Sequence, residues 1–295
     1  METGGLVDYD LMNVADLKRV MAEAPIAYLP IGAPEMHGEH LTFGLDAIKA
    51  HELCRRAARA GGGAVQPPLH AGTTACTSFN FGNVYITPPV ARALYTEYLA
   101  GLGRVGFRVI VALTGHYPSA QVAVVKHAAA DAMAISGAWT IGLDECELAF
   151  DHDYFGDHAG KWETSLYMHL RPDLVYMDHL PEDPDARLIA AGPEDPRVHA
   201  SAELGATVSA TITERLAAFT QMLLAMDADP VQSGPTKTAM RIATRAMALA
   251  HEAEGAVPRR EEAYHRASEL FYSGEFGQAT NVIVEAYGVG RTALT

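Results

Sequence analysis

The sequence predicts an α/β protein: a parallel sheet in a three-layer arrangement with helices on both faces, followed by a helical C-terminal extension. Three observations point there. Short apolar runs such as IAYLPI and VIVAL alternate with segments of helical period, as in βαβ units. Glycines and prolines fall where the period changes. After the segment DADPVQSGP only helical patterns remain. With 295 residues, 49% of them hydrophobic, the chain can bury a sizeable core.

Taken in order, Asn13–Glu23 reads as a helix ended by Pro25. Ile26–Ile31 is a strand candidate despite its proline, and GAPEMHGEHLTFGLD after it is a loop. Ala47–Ala60 reads as a helix with Asp46 at its N-cap and Gly61–Gly63 closing it. Ala64–His70 is a weak strand, and Ala71–Asn83, rich in Gly, Thr, Ser and Asn, is a loop. Pro88–Leu102 is a helix whose prolines suit a first turn. Val109–Leu113 is the clearest buried strand, running through TGHYPSAQ into a helix at Ser119–Met133. Ala138–Gly142 reads as a strand, Lys161–Leu170 as a helix stopped before Pro172, and Ala200–Ala225 as a long helix. A linker at Asp227–Pro235 then separates residues 1–230 from an extension at 236–295. The extension carries helical patterns at Lys237–Glu254, Arg259–Ser273 and Gln278–Tyr287. The phrase EEAYHRASELFYSGEFGQATNVIVEAYG has the small and aromatic positions of one tetratricopeptide unit; the plainer reading is a helical hairpin packed on the body or on a partner subunit.

Composition narrows the function. The formal net charge is −14 and no Lys/Arg stripe occurs, which removes electrostatic support for nucleic-acid binding. No apolar run approaches the roughly 20 residues of a membrane span, and the acidic start METGGLVDYD lacks the apolar stretch of a secretory signal. Cys54, Cys76 and Cys146 are scattered and odd in number, so buried free thiols of a cytoplasmic protein are expected.

Right-handed crossovers put the loops that follow parallel strands on one sheet edge. The loops richest in histidine and acid are GAPEMHGEHLTFGLD, TGHYPS and FGDHAGKWE. Glu35 and His37, two apart on an extended segment, point the same way. Asp46 offers a bridging carboxylate and His116 lies at the end of the best strand. Oxygen and imidazole donors of this kind suit Zn, Mn or Fe. Taken singly, each is also an ordinary loop residue. His40 is a further ligand or supporting donor, His152 and Asp153 read as solvated loop residues, and His169 and Trp162 as packed ones.

Three segments, in order over Ile26–Asp178, carry a resemblance. PIGAPEMHGEHLTFGLDAIKAHELCRRA resembles the first signature of the creatininase (creatinine amidohydrolase) family, of the form PxGSxEQHGPHLPLGTD. GFRVIVALTGHYPSAQ resembles the second, hGhxxhhhxNGHGGN, and DHAGKWETSLYMHLRPDLV the third, HAGxxETSxxLxxxPxLV. The resemblance implies a creatininase-like α/β fold and a binuclear-metal amidohydrolase acting on a small amide, lactam or formamide through water activated between two divalent ions. Zinc is the first expectation, with manganese or iron as alternatives. It implies that Glu35, Asp46 and His116 hold one metal, and that His37, the shared Asp46 and a second acid hold the other. It also implies that His158 orients or protonates, that Glu163 is a ligand or an acid/base, and that the chain forms a homo-oligomer, commonly a hexamer. The expected partner is a small-molecule substrate, with no nucleic acid and no membrane. Where creatininases proper carry a glutamate, two residues after the strand-end histidine, this chain has Pro118, which cannot ligate. His37 and Asp46 alone are too few for tight binding of the second metal, and Glu163 is expected to complete it. The loop near Phe79–Ile86 lacks the usual GTISL-like run, and Tyr154 stands where creatininases proper have a substrate-contacting tryptophan. Tyr117 and Tyr154 are the candidate substrate residues, and creatinine itself is disfavoured. The alternatives are an isomerase or epimerase on the same scaffold, and a peptide-processing or non-catalytic accessory metalloprotein.

Overall fold

The computed structural model describes residues 6–73, 80–183, 185–253, 258 and 261–294. Cys76 and Phe79 lie outside them, with part of the expected 71–83 loop, while Cys54 and Cys146 are buried free thiols. The elements are α1 (Val14–Glu23), β1 (Ile26–Gly32), α2 (Leu45–Gly61), β2 (Ala64–Val65), β3 (Leu69–His70), α3 (Pro88–Val105), β4 (Val109–Thr114), α4 (Ser119–Ser136), β5 (Trp139–Asp144), α5 (Lys161–Leu170), α6 (Pro196–His199), α7 (Ala202–Met226), α8 (Pro230–Glu252), α9 (Glu262–Tyr272) and α10 (Phe276–Tyr287). Asn13 starts α1 through a capping box: its side chain accepts from the Ala15 and Asp16 amides, and Asp16 accepts from the Asn13 amide.

The sheet is parallel in the order β2-β1-β4-β5, with β3 also paired to β1. The weak strand expected over Ala64–His70 is thus two short ladders on one neighbour. The gap between them explains how β1, a central strand, holds Pro30. The Tyr28 and Gly32 carbonyls accept from Gln66 and Ala71 on the β2/β3 side, so Pro30 faces that side as well. It pairs there with neither β2 nor β3, and its missing N–H costs no ladder bond.

Alternation along the strands divides the core. Ile26 and Tyr28 of β1 and Val109, Val111 and Leu113 of β4 pack with α2 and α7. Ala27, Leu29 and Ile31 of β1 and Ile110 and Ala112 of β4 pack with α3 and α4. The result is the three-layer α/β arrangement, with the ends of β1, β4 and β5 opening onto one edge.

The expected linker at Asp227–Pro235 is helix from Pro230 onward, and Pro235 lies inside α8. Pro230 opens the helix, where a missing N–H has no acceptor in any case, whereas Pro235 is the sixth residue and forgoes a bond to the Val231 carbonyl. The apolar side of α8, including Met240, Ala243 and Met247, joins the cluster of β4 and α7, as do Phe271 of α9 and Ile283 of α10. The final hairpin therefore packs on the body.

Candidate metal centre

The centre forms where the start of α2 presses on the ends of β1 and β4. Two glycines make that approach feasible. A Cβ at Gly32 would lie 2.2 Å from the Ala47 nitrogen, and one at Gly115 would lie 2.1 Å from the Asp46 carbonyl oxygen. Asp46 is not the N-cap expected from the sequence. Gly44 holds that position, and Asp46 sits in the first turn. Its oxygens are engaged elsewhere: Oδ1 is 3.1 Å from His37 Nε2, and Oδ2 is 3.0 Å from His116 Nδ1. The Ala33 amide also donates to Oδ2 at 3.3 Å.

The remaining groups close around this carboxylate. Glu35 Oε2 is 3.0 Å from His116 Nδ1, and Glu163 Oε2 is 3.4 Å from His37 Nε2. His158 Nδ1 stands 3.8 Å from Glu35 Oε1, and its ring lies 4.4 Å from that of His37. Glu35, His37, Asp46, His116 and Glu163 are all buried, none above 3% exposed. Among the described residues, donor atoms converge in three groups: Glu35 with Asp46 and His116, His37 with Asp46 and Glu163, and Glu35 with His37 and His158. The first two share Asp46, in the partition implied by the resemblance.

Backbone carbonyls set the orientation of all three histidines. His37 Nδ1 donates to the Glu35 carbonyl at 2.9 Å, His116 Nε2 to the Thr73 carbonyl at 2.9 Å, and His158 Nε2 to the Met36 carbonyl at 2.8 Å. A carbonyl only accepts, so each of these nitrogens carries the hydrogen and the other nitrogen turns toward the carboxylates. Metal-ligating histidines are held in this manner.

The electrostatics also fit a cation. Burial alone would lower His37, yet Asp46 and Glu163 bring it up to about 9. Burial is likewise outweighed at His116, where hydrogen bonds to Asp46 and Glu35 bring it up to about 10. Burial would raise Asp46, but the His37 and His116 charges hold it well below the usual carboxylate range. Glu163 is lowered too, against burial, by Lys49 and His37. Glu35, Asp46 and Glu163 together hold extra positive charge in place, which in the free protein is protons on imidazole. Such a set of oxygen and imidazole donors fits divalent Zn, Mn or Fe.

Around this centre, Pro118 precedes α4 and offers no donor. His40 is buried, bonds Thr164 Oγ1 through Nε2 at 3.0 Å and joins none of the three groups; burial and the nearby His37 push it down to about 4. The Tyr117 hydroxyl donates to the Asp157 carbonyl at 2.9 Å, and the Tyr154 hydroxyl to Glu145 Oε1 at 2.9 Å. Sequence reasoning missed Lys49, Glu145 and Asp157. Lys49 Nζ lies 2.6 Å from Glu145 Oε1 and 2.8 Å from Glu163 Oε1. Asp157 accepts from the Trp162 and Glu163 amides and so fixes the first turn of α5. The spacing of Lys49 three residues after Asp46 was a usable signal, since it puts both on one helix face.

A family model described as Creatininase, creatinine amidohydrolase, matches residues 10–220. The creatinine amidohydrolase of Pseudomonas putida is 28% identical over 192 residues, which is 57% of this chain and 73% of that protein. A solved creatininase described as its Mn form is similar with a TM-score of 0.59 at 21% identity, covering 76% of this chain and 98% of that one. A glutamate-to-glutamine creatininase variant of Zn–Zn type is similar with a TM-score of 0.60 at 21% identity, with the same coverage of 76% and 98%. These structural likenesses establish the shared α/β fold, and the family match spans well over half of the chain. The chain belongs to the creatininase family, whose members are hydrolases acting on carbon–nitrogen bonds other than peptide bonds.

Proposed function

We propose that the protein is a two-metal amidohydrolase cleaving the C–N bond of a small amide, lactam or formamide. The observation that carries the reading is the pair of buried donor groups sharing Asp46. Glu35, Asp46 and His116 would hold one divalent ion, and His37, Asp46 and Glu163 the other. The names of the solved relatives, an Mn form and a Zn–Zn form, support divalent cations of this kind. Such ions supply Lewis-acid chemistry, polarising a carbonyl oxygen and lowering the pKa of water. In this reading residues 1–230 form the metallohydrolase part and 236–295 the extension.

The protein's own groups handle the proton. Burial, then the neighbouring His37 charge, lowers His158 below the ordinary imidazole value, so it is neutral at pH 7. Its Nε2–H is committed to the Met36 carbonyl, and Nδ1 faces the carboxylate cluster. His158 Nδ1 is therefore the base that takes a proton from water and returns it to the leaving nitrogen. The Glu163 carboxylate is held on both sides, by the Ala159 amide at Oε2 and by Lys49 at Oε1. It serves as a ligand and is not mobile enough to shuttle protons.

Metal analysis of three proteins tests this. Wild type should bind about two divalent ions per chain, Glu163→Gln should lose one and spare the other, and His158→Ala should keep both and lose mainly turnover. Metal-free wild type whose hydrolytic activity is indifferent to chelators would sink the proposal.

A further inference from the structure

Lys49 is a buried cation to which the amidohydrolase reading assigns no task. It follows Asp46 by three residues on α2, so both side chains leave the same helix face. Its side chain is fully buried, where an ammonium persists only among partners that offset its lost hydration. It has two carboxylates, Glu145 Oε1 at 2.6 Å and Glu163 Oε1 at 2.8 Å, and lies 4.7 Å from the Tyr117 ring centroid. Both carboxylates help to hold the ammonium, and the contact with Glu163, unlike that with Glu145, reaches a member of the converging donor groups. That contact acts on Glu163. With Oε1 on Lys49, Oε2 accepts from the Ala159 amide at 2.8 Å and faces His37 Nε2 at 3.4 Å. The two oxygens of Glu163 are thus assigned to different neighbours.

We propose that Lys49 is a positioning residue of the metal centre: by holding Glu163 Oε1, it leaves Oε2 as the single oxygen that this carboxylate gives to a cation. The inference rests on Glu163 being a ligand. A carboxylate free to turn can take a dication through both oxygens and fill two coordination positions. One anchored by Lys49 fills a single position and keeps another open for water or substrate, as a catalytic site requires. Hydrolysis then depends on a residue that touches neither metal nor substrate.

The zinc-loaded wild type gives the first test. Its crystal structure should keep Glu163 Oε1 on Lys49 Nζ, with Oε2 at about 2.0–2.2 Å from the metal. Both oxygens on the metal would overturn the proposal, whatever any variant does. The second test is the double variant Lys49→Met/Glu145→Gln, which removes both charges together and leaves neither uncompensated. Loaded with Co2+, whose visible absorption weakens as its coordination number rises, the folded variant should absorb severalfold less per ion than wild type. A Co2+ spectrum identical to that of wild type would refute the role, because a merely structural ion pair would leave the spectrum unmoved. Co2+ titration of Glu163→Gln separates the two levels. If that variant binds both ions as wild type does, the ligand reading itself has failed; if it loses one and the double variant is spectrally unchanged, only the role of Lys49 has.

Discussion

Metal uptake by this centre should release protons, and the structure sets how many. In the metal-free protein His37 titrates at about 9 and His116 at about 10, so both carry a proton at pH 7 on the nitrogen that faces the carboxylates. A cation can take that nitrogen only after the proton leaves. At about 1.36 kcal/mol per pH unit, removing it at pH 7 costs roughly 3 kcal/mol at His37 and roughly 4 kcal/mol at His116. Each site should therefore release about one proton as it fills, and its affinity should rise about tenfold per pH unit between pH 6 and 8. Calorimetric titration of chelator-stripped protein with Zn2+, in two buffers of different ionisation enthalpy, counts the protons directly. The same shifts carry a stability consequence with a definite sign. Folded values above the ordinary 6.5 stabilise the metal-free fold fully below pH 6.5, and that contribution is lost as pH rises through 9 to 10. Stripped protein should therefore melt lower at pH 10 than at pH 6.5. Zinc binding that releases no protons at pH 7, with an affinity flat between pH 6 and 8, would refute the arrangement of these histidines.

Other perturbations reach neighbouring parts of the argument. Asp46→Asn should lose one or both ions and nearly all turnover, since it removes the carboxylate charge shared by the two donor groups; metal content equal to that of wild type would refute bridging. Gly115→Ala forces a Cβ to within 2.1 Å of the Asp46 carbonyl, so it should lower metal content even where the protein still folds; an unaffected metal content would refute the close packing of α2 on the end of β4. Tyr272→Phe removes one of several donors to buried Glu147 and should cost about 1–3 kcal/mol in denaturant unfolding; a variant as stable as wild type would remove that bond from the account. Light scattering at micromolar concentration should give a closed homo-oligomer, and a monomer would contradict the assembly expected of the family.

Much of this was legible in the sequence because strand and helix periods differ and because the candidate ligand residues sit beside the punctuation between them. Glu35, His37 and His116 lie just past apolar runs that read as strands. The errors have local causes. Asp46 looks like an N-cap because a short acid precedes an apolar helix, but its oxygens are drawn to His37 and His116 and Gly44 takes the cap. DADPVQSGP has linker composition, yet packing of α8 into the main core overrides it. Pro30 argues against a central strand until the break between β2 and β3 is known, and no single-sequence pattern encodes that break. Lys49 was within reach through its spacing from Asp46. Its two carboxylate partners were not, because the strand end at Glu145 and the first turn of α5 at Glu163 meet it only in the fold.

The short 3-10 turn Glu145–Leu148 that follows β5 joins the two halves of this account. Glu145 meets Lys49, and through it Glu163 at the metal centre. Two residues on, Glu147 contacts a different set of partners. It accepts from buried Lys126 of α4 at 2.8 Å and from the hydroxyls of Tyr264 and Tyr272 of α9, at 3.0 and 2.8 Å. His251 of α8 bonds the Tyr264 hydroxyl in turn, at 2.9 Å. A buried carboxylate is tolerated only while its donors remain, and networks of this kind lose more than the sum of their bonds when one side is removed. Cutting the chain after residue 235 would strip Glu147 of both tyrosines and open the apolar cluster that α8, α9 and α10 share with β4. Glu145 and Glu147 share one turn, so these contacts bear on the turn that carries the partner of Lys49. The helical extension therefore packs against the turn that carries Glu145, while among the described residues none of the extension belongs to the three donor groups.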